Sequence, residues 1–256
     1  PMIVMNAATS AIVEKSPYIV RTSFTMFQNT VPAAKVAKAR GAKKVAIAVS
    51  DYGPGIDAET AFKKTFEADG GTIAEAIRMP LSTTDFSPIM QRIKDSGADM
   101  IFTFLPAGPP TLGFVKAYID NGLKASGVKL ISTGDVVTEP DLPNIGDSGV
   151  GILSTYHYSV SHDSPENKAF IAGLVKAGEK ADDITMSAVA AYDGARLIYQ
   201  MVEATNGQRD PDKAIAAVKG MTWVSPRGPV SIDPDTRHIT DRKSGVEGKT
   251  GDLGRR

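Results

Sequence analysis

Four apolar, strand-like segments begin near Val45, Ile73, Met100 and Lys129, spaced 28, 27 and 29 residues apart. That spacing is close to the ~30 residues of a strand–helix–strand crossover. It commits the middle of the chain to a parallel sheet with helices between its strands. The intervening segments carry the helical period. Phe62 and Phe66 follow Asp57, and Phe86, Ile89, Met90 and Ile93 follow the cap candidate Asp85 along one face. Leu112, Val115 and Ile119 repeat the pattern before Gly122. The expected class is α/β, with doubly wound parallel sheets.

The run Val45-Ala46-Ile47-Ala48-Val49 lies between Lys43-Lys44 and Ser50-Asp51. It reads as a strand covered on both faces. The turn Gly53-Pro54-Gly55 after it sets Asp51 and Tyr52 at the carboxyl end of that strand, where open α/β sheets bind ligands. On the amino-terminal side, Pro1 to Met5 and Tyr18 to Thr22 read as short strands, followed by a helix over 28–40. Beyond a strand at 151–158 and a polar crossing at 159–165, helices are predicted over 166–178, 184–205 and 211–219. A hairpin is predicted around Pro234-Asp235, joining 229–233 to 237–240. Helices without intervening strands cannot complete the sheet begun at Pro1. That sheet is expected to hold more strands than this chain displays.

Composition narrows the function. The 256 residues are 42% apolar and 23% charged, with 29 basic and 29 acidic side chains. Balanced charge without a Lys/Arg stripe gives no electrostatic footprint for nucleic acid. The absence of cysteine removes disulfides, zinc–thiolate sites and thiol nucleophiles. His157, His162 and His238 lack metal-ligand spacing, so no metal and no cofactor is expected. There is no G-x-S-x-G elbow, no G-x-G-x-x-G and no Walker lysine loop. Acids such as Asp57 and Glu59 at a helix start are more simply explained by the helix dipole than by acid–base catalysis. An enzyme is not expected. The segment Asp241–Arg256 has Gly245, Gly248, Gly251 and Gly254 at period three and only Val246 and Leu253 as apolar side chains. It reads as a non-native or disordered tail.

Several local strings occur in a telling order. They are Pro1-Met2-Ile3 into Asn6-Ala7-Ala8-Thr9, Ser16-Pro17-Tyr18 into Arg21-Thr22, Asp51-Tyr52-Gly53, Asp85-Phe86-Ser87 and Ala191-Tyr192-Asp193. Together they resemble the branched-chain amino-acid (Leu/Ile/Val-type) binding proteins of ABC importers, a group of type I periplasmic binding proteins. The resemblance covers Pro1 to Thr240. It implies two α/β lobes that clamp a ligand, with an N-terminal truncation: the signal peptide and roughly three βα units are expected to precede Pro1. The first lobe, 1–41 with 159–219, would be incomplete, and the second would be 42–158 with 220–240. The implied protein is a periplasmic, monomeric amino-acid carrier serving a membrane ABC permease. Such a truncation is expected to leave apolar sheet edge exposed and solubility poor. A ligand-sensing regulator of the same fold for amides or urea is the alternative, followed by an α/β hydrolase.

Site residues follow from the ligand's chemistry. A free amino acid presents a carboxylate and an ammonium on one carbon, so its site needs donors on one side and acceptors on the other. Ala7, Ala8 and Thr9 offer backbone N–H groups and a hydroxyl, although an ordinary strand-to-helix turn capped by Thr9 fits the same residues. The resemblance implies carboxylate contacts here. Asp135, in Ser132-Thr133-Gly134-Asp135 past a strand, is either a solvated loop acid, a cap, or an ammonium partner. The resemblance implies the last, with the shorter Asp standing where the family commonly has Glu. Tyr52 is either a surface tyrosine or a ligand contact with a hydroxyl tip. Leu105, Pro106 and Ala107 end another strand and would form wall. Tyr192, on a helix beside Asp193, has a spacing that suits core as well as site. Trp223 reads as packing.

Overall fold

The computed structural model describes residues 1–241. In chain order the strands and helices begin with β1 (Met2–Val4), β2 (Ile19–Arg21), α1 (Met26–Ala39), β3 (Lys44–Ser50), α2 (Gly53–Ala68) and β4 (Thr72–Met79). Next come α3 (Ser87–Ser96), β5 (Met100–Phe104), α4 (Pro109–Asp120), β6 (Lys129–Thr133), the single turn α5 (Leu142–Ile145) and β7 (Leu153–Thr155). The chain continues with α6 (Pro165–Lys176), α7 (Met186–Thr205), α8 (Pro211–Val218), β8 (Thr222–Ser225), β9 (Gly228–Ile232) and β10 (Ile239–Asp241). The tail expected from Asp241 onward lies, apart from Asp241 itself, outside the described residues.

Two compact units emerge. The second, Met26–Tyr156, contains a five-stranded parallel sheet of order β4-β3-β5-β6-β7. Each of the four expected strands is present, and the order places β3 and β5 side by side at its centre. Central position explains their composition: Val45 to Val49 and Met100 to Phe104 are buried throughout. On one side Phe62 stacks on Phe102 with ring centroids 4.2 Å apart. On the other, Met90, Ile93, Phe114, Val115 and Tyr118 pack beneath Ile101 and Leu130. Parallel strands buried on both faces thus read as continuous apolar runs, as the sequence shows.

Among the described residues the first unit combines Pro1–Thr25 with 157–241. β1 and β2 form a two-stranded parallel sheet, and β10-β9-β8 an antiparallel one. The expected hairpin is present as β9 and β10. β8 was not anticipated; it pairs Trp223 with Val230 across the ladder. These boundaries differ from the sequence reading at three places: residues 26–41 fall in the second unit, and His157, Tyr158 and residues 220–240 in the first. Helix α1 lies against α2, β6 and β7 instead of joining the amino-terminal strands, and the Thr155 hydroxyl donates to the carbonyl of Asn29. Residues 220–240 share a core with the first unit, where Trp223, Val230, Ile232 and Ile239 pack with Val20, Leu197 and Ile215.

Beneath that core lies a buried charge pair. Asp193 and Arg227 are 2.6 Å apart, with side-chain exposures of 0% and 3%. The Asp193 carboxylate also accepts from Trp223 Nε1 at 2.8 Å and from the Ser225 hydroxyl at 2.9 Å. Arg227 also donates to the carbonyls of Thr22 and Ser23. Both charges are thus paired and hydrogen-bonded, the condition under which burying them is tolerable.

Candidate ligand-binding site

The turn after β6 carries Asp135 into the interior: the residue is 7% exposed, so the solvated-acid alternative does not hold. One carboxylate oxygen accepts from the Tyr156 hydroxyl at 3.0 Å, and the other accepts from the Thr133 hydroxyl at 3.0 Å. Burial pushes its pKa up to about 6, against the pull of these two hydrogen bonds and of its own backbone amide. Among the described residues no lysine, arginine or histidine pairs with it. Burial also drives the Tyr156 hydroxyl upward, and the charge of Asp135 adds to the effect.

Tyr52 reaches the same neighbourhood from the amino end of α2. Its backbone is extended at φ −162°, and its N–H donates to Ser50. The approach depends on Gly55, where a Cβ would stand 1.7 Å from the Ser50 carbonyl oxygen. Its ring stacks over Phe104 at 6.0 Å. Burial, then the negative charge of Asp135, pushes the Tyr52 hydroxyl up to about 12. Tyr52 and Asp135 therefore sense each other, with an aromatic face alongside. Leu105 departs from its expected place as wall: it is buried in the core with Ile101 and Phe114, leaving half-buried Pro106 and exposed Ala107 at the surface. Sequence reasoning missed Tyr156, Thr133 and Phe104.

In the first unit, Ala7, Ala8 and Thr9 lie between β1 and a turn of 3₁₀ helix at Ser10–Lys15. Thr9 does not cap that turn with its side chain, so the capping alternative is not realised. Two buried groups hold the loop by its carbonyls. The Ser23 hydroxyl donates to Ala7 at 3.1 Å, and Arg21 Nη2 donates to Thr9 at 2.6 Å. Because a trans peptide points its N–H opposite its carbonyl, fixing the Ala7 carbonyl turns the Ala8 N–H the other way. Arg21, fully buried, also donates to Phe24, and Arg227 holds the Thr22 and Ser23 carbonyls behind it. Tyr192 is on α7, 49% exposed, its ring edge-on to Phe170 at 5.1 Å. Its neighbour Asp193 points inward to the charge pair.

Among the described residues no group of three or more His, Asp or Glu could hold a metal ion, and no helix is long and apolar enough to cross a membrane.

Comparison with known proteins adds a family. A family model described as periplasmic binding protein matches residues 1–251. The "Leu/Ile/Val-binding protein homolog 6" of Brucella melitensis is 62% identical over 240 residues, which is 94% of this chain and 62% of that protein. A solute-binding protein of an ABC transporter from R. palustris, solved in complex with 4-hydroxybenzoate, is 84% identical with a TM-score of 0.93. A second, from Rhodopseudomonas palustris BisB5 in complex with 3,4-dihydroxy benzoic acid, is 46% identical with a TM-score of 0.85. Each structural match covers 94% of this chain and 66% of the other. The chain thus spans somewhat less than two thirds of the length of these relatives.

Proposed function

The chain belongs to the periplasmic binding protein family, and we propose that within it this protein is the extracytoplasmic solute-binding component of an ABC importer whose solute is a hydroxylated aromatic acid. The observation that carries the choice of solute is the environment of Asp135. Its carboxylate is buried, held by neutral donors, the hydroxyls of Thr133 and Tyr156 and its own backbone amide, and set beside the stacked rings of Tyr52 and Phe104. An uncompensated carboxylate in that setting is a strong acceptor for a phenolic O–H, and the rings offer a flat apolar surface to an aromatic ligand. The relatives solved with 4-hydroxybenzoate and 3,4-dihydroxy benzoic acid support the same chemistry. Ala7, Ala8 and Thr9 supply donors for the acid group of the solute. Pro106, Ala107 and Tyr192 are lesser contacts. The protein works as a monomer, delivers its solute to a membrane permease and performs no covalent chemistry.

A second reading keeps the amino acid, with Asp135 as counter-charge to its ammonium. The name of the Brucella relative favours it. Calorimetric titration of the intact protein with 4-hydroxybenzoate and with leucine separates the two. The aromatic reading expects saturable binding of the first and none of the second; saturation by leucine alone would overturn it.

A further inference from the structure

Building on the aromatic-acid reading, we propose that Tyr156 is the residue that tunes Asp135 to read a ligand hydroxyl, and that Gly134 is the positioning residue that seats Tyr156. Tyr156 donates to Oδ1 of Asp135 and Thr133 donates to Oδ2, each at 3.0 Å. The backbone amide of Asp135 is a third donor, so of the four acceptor positions on the two carboxylate oxygens one is left for an incoming donor. The existing partners are all neutral. They fix the carboxylate in place without cancelling its charge.

The seat is steric. A Cβ on Gly134 would stand 2.2 Å from Cδ1, 2.3 Å from Cγ and 2.8 Å from Cβ of Tyr156. These atoms include the root of the side chain, so the ring cannot swing clear by a change of its outer atoms alone. Gly134 is absent from the residues with left-handed φ, so its missing side chain serves space and not backbone conformation. Tyr156 thereby passes close over Gly134, with its hydroxyl delivered to the carboxylate that the β6 turn carries. Charged and titratable groups facing this pair include Tyr52 from the start of α2, which senses the charge of Asp135, and Glu139, whose charge acts on Tyr156.

The arrangement predicts how selection between hydroxylated and plain ligands changes with pH. Ionised Asp135 accepts from a phenolic O–H and gains nothing from benzoate. The preference for 4-hydroxybenzoate over benzoate should therefore grow as pH rises through about 6, where Asp135 ionises. The experiment measures both affinities across pH 5 to 8 for the intact protein, Tyr156→Phe and Gly134→Ala. Losing the Tyr156 donor removes a bond that favours the ionised form. Tyr156→Phe should shrink the preference by roughly tenfold and move its midpoint to higher pH. Gly134→Ala, with the tyrosine still present, should shift both in the same direction. A merely structural role would lower both affinities together and leave the midpoint in place. Wild-type preference and midpoint in Tyr156→Phe would overturn the proposal, whatever the folding of Gly134→Ala. Failure of the wild-type protein to bind either acid would instead overturn the aromatic reading on which it rests.

Discussion

Asp135 is placed where its charge is expensive, so removing that charge should stabilise the ligand-free protein. A free aspartate loses its proton near pH 3.8, whereas Asp135 holds its proton to about pH 6. The sign follows from which state binds more protons. Between these values the folded state does, so stability is greatest below the unfolded pKa and falls as pH rises through the folded one. Each pH interval of one is 1.36 kcal/mol per proton, so full ionisation costs about 3 kcal/mol, of which about 2–3 kcal/mol accrues between pH 4 and pH 7.5. Asp135→Asn keeps the shape and can still meet the hydroxyls of Tyr156 and Thr133, but it does not titrate. Relative to wild type, the variant should therefore gain about 2–3 kcal/mol on going from pH 4 to pH 7.5. For a chain of this length that is roughly 5–10 °C in melting temperature. Thermal unfolding of the two ligand-free proteins at both pH values tests it. Parallel pH profiles would refute the reasoning, because they would mean that Asp135 ionises in the folded protein as it does in water. A residue that costs stability where it stands is what a binding function retained against folding looks like.

Three further outcomes concern the scaffold. Asp193→Ala strands the buried Arg227 guanidinium and unpairs Trp223 Nε1 and the Ser225 hydroxyl, and should cost about 3–5 kcal/mol in urea unfolding. Gly55→Ala sets a methyl 1.7 Å from the Ser50 carbonyl oxygen, a backbone atom that cannot yield locally. It should destabilise by more than about 3 kcal/mol and disturb the Tyr52 loop, read as lost thermal stability together with lost ligand affinity. In Gly194→Ala the three atoms nearest the new methyl all belong to the flexible Met5 side chain, its terminal methyl at 2.3 Å and its Cγ and Sδ at 2.9 Å. Repacking of that methionine offsets the gain in helix propensity, so the change in unfolding free energy should stay within about 1 kcal/mol.

Much of the architecture is legible in the sequence because it is written in local terms. The spacing of Val45, Ile73, Met100 and Lys129 reports a parallel sheet directly, since each crossover needs a helix of nearly fixed length. The helices of residues 165–218 announce themselves by period, and two of them, α6 and α8, also by proline at their starts. What escapes is pairing across long separations. Nothing in Thr222–Ser225 distinguishes a strand from a loop until its partner Gly228–Ile232 is known. Nothing in the composition of α1 says that it packs on α2 and β7 and not beside β2.

The site is legible to the same extent and for the same reason. Tyr52 and Asp135 could be found because strand ends of a doubly wound sheet are where ligands bind, and both follow strands. Their chemistry could not, because an acid in a sequence carries no record of what will surround it. Read alone, Asp135 is as well suited to an ammonium as to a phenol. What separates the two is whether a cation or a neutral hydroxyl fills the space around the carboxylate. That is decided by Tyr156, which comes 21 positions later from the strand next to β6 and donates to the carboxylate. The signal for it was present in an unexpected place. A glycine immediately before a buried acid, with no left-handed φ to require it, marks a backbone that something must approach closely. In this protein the approaching group is the ring that sets the character of the site.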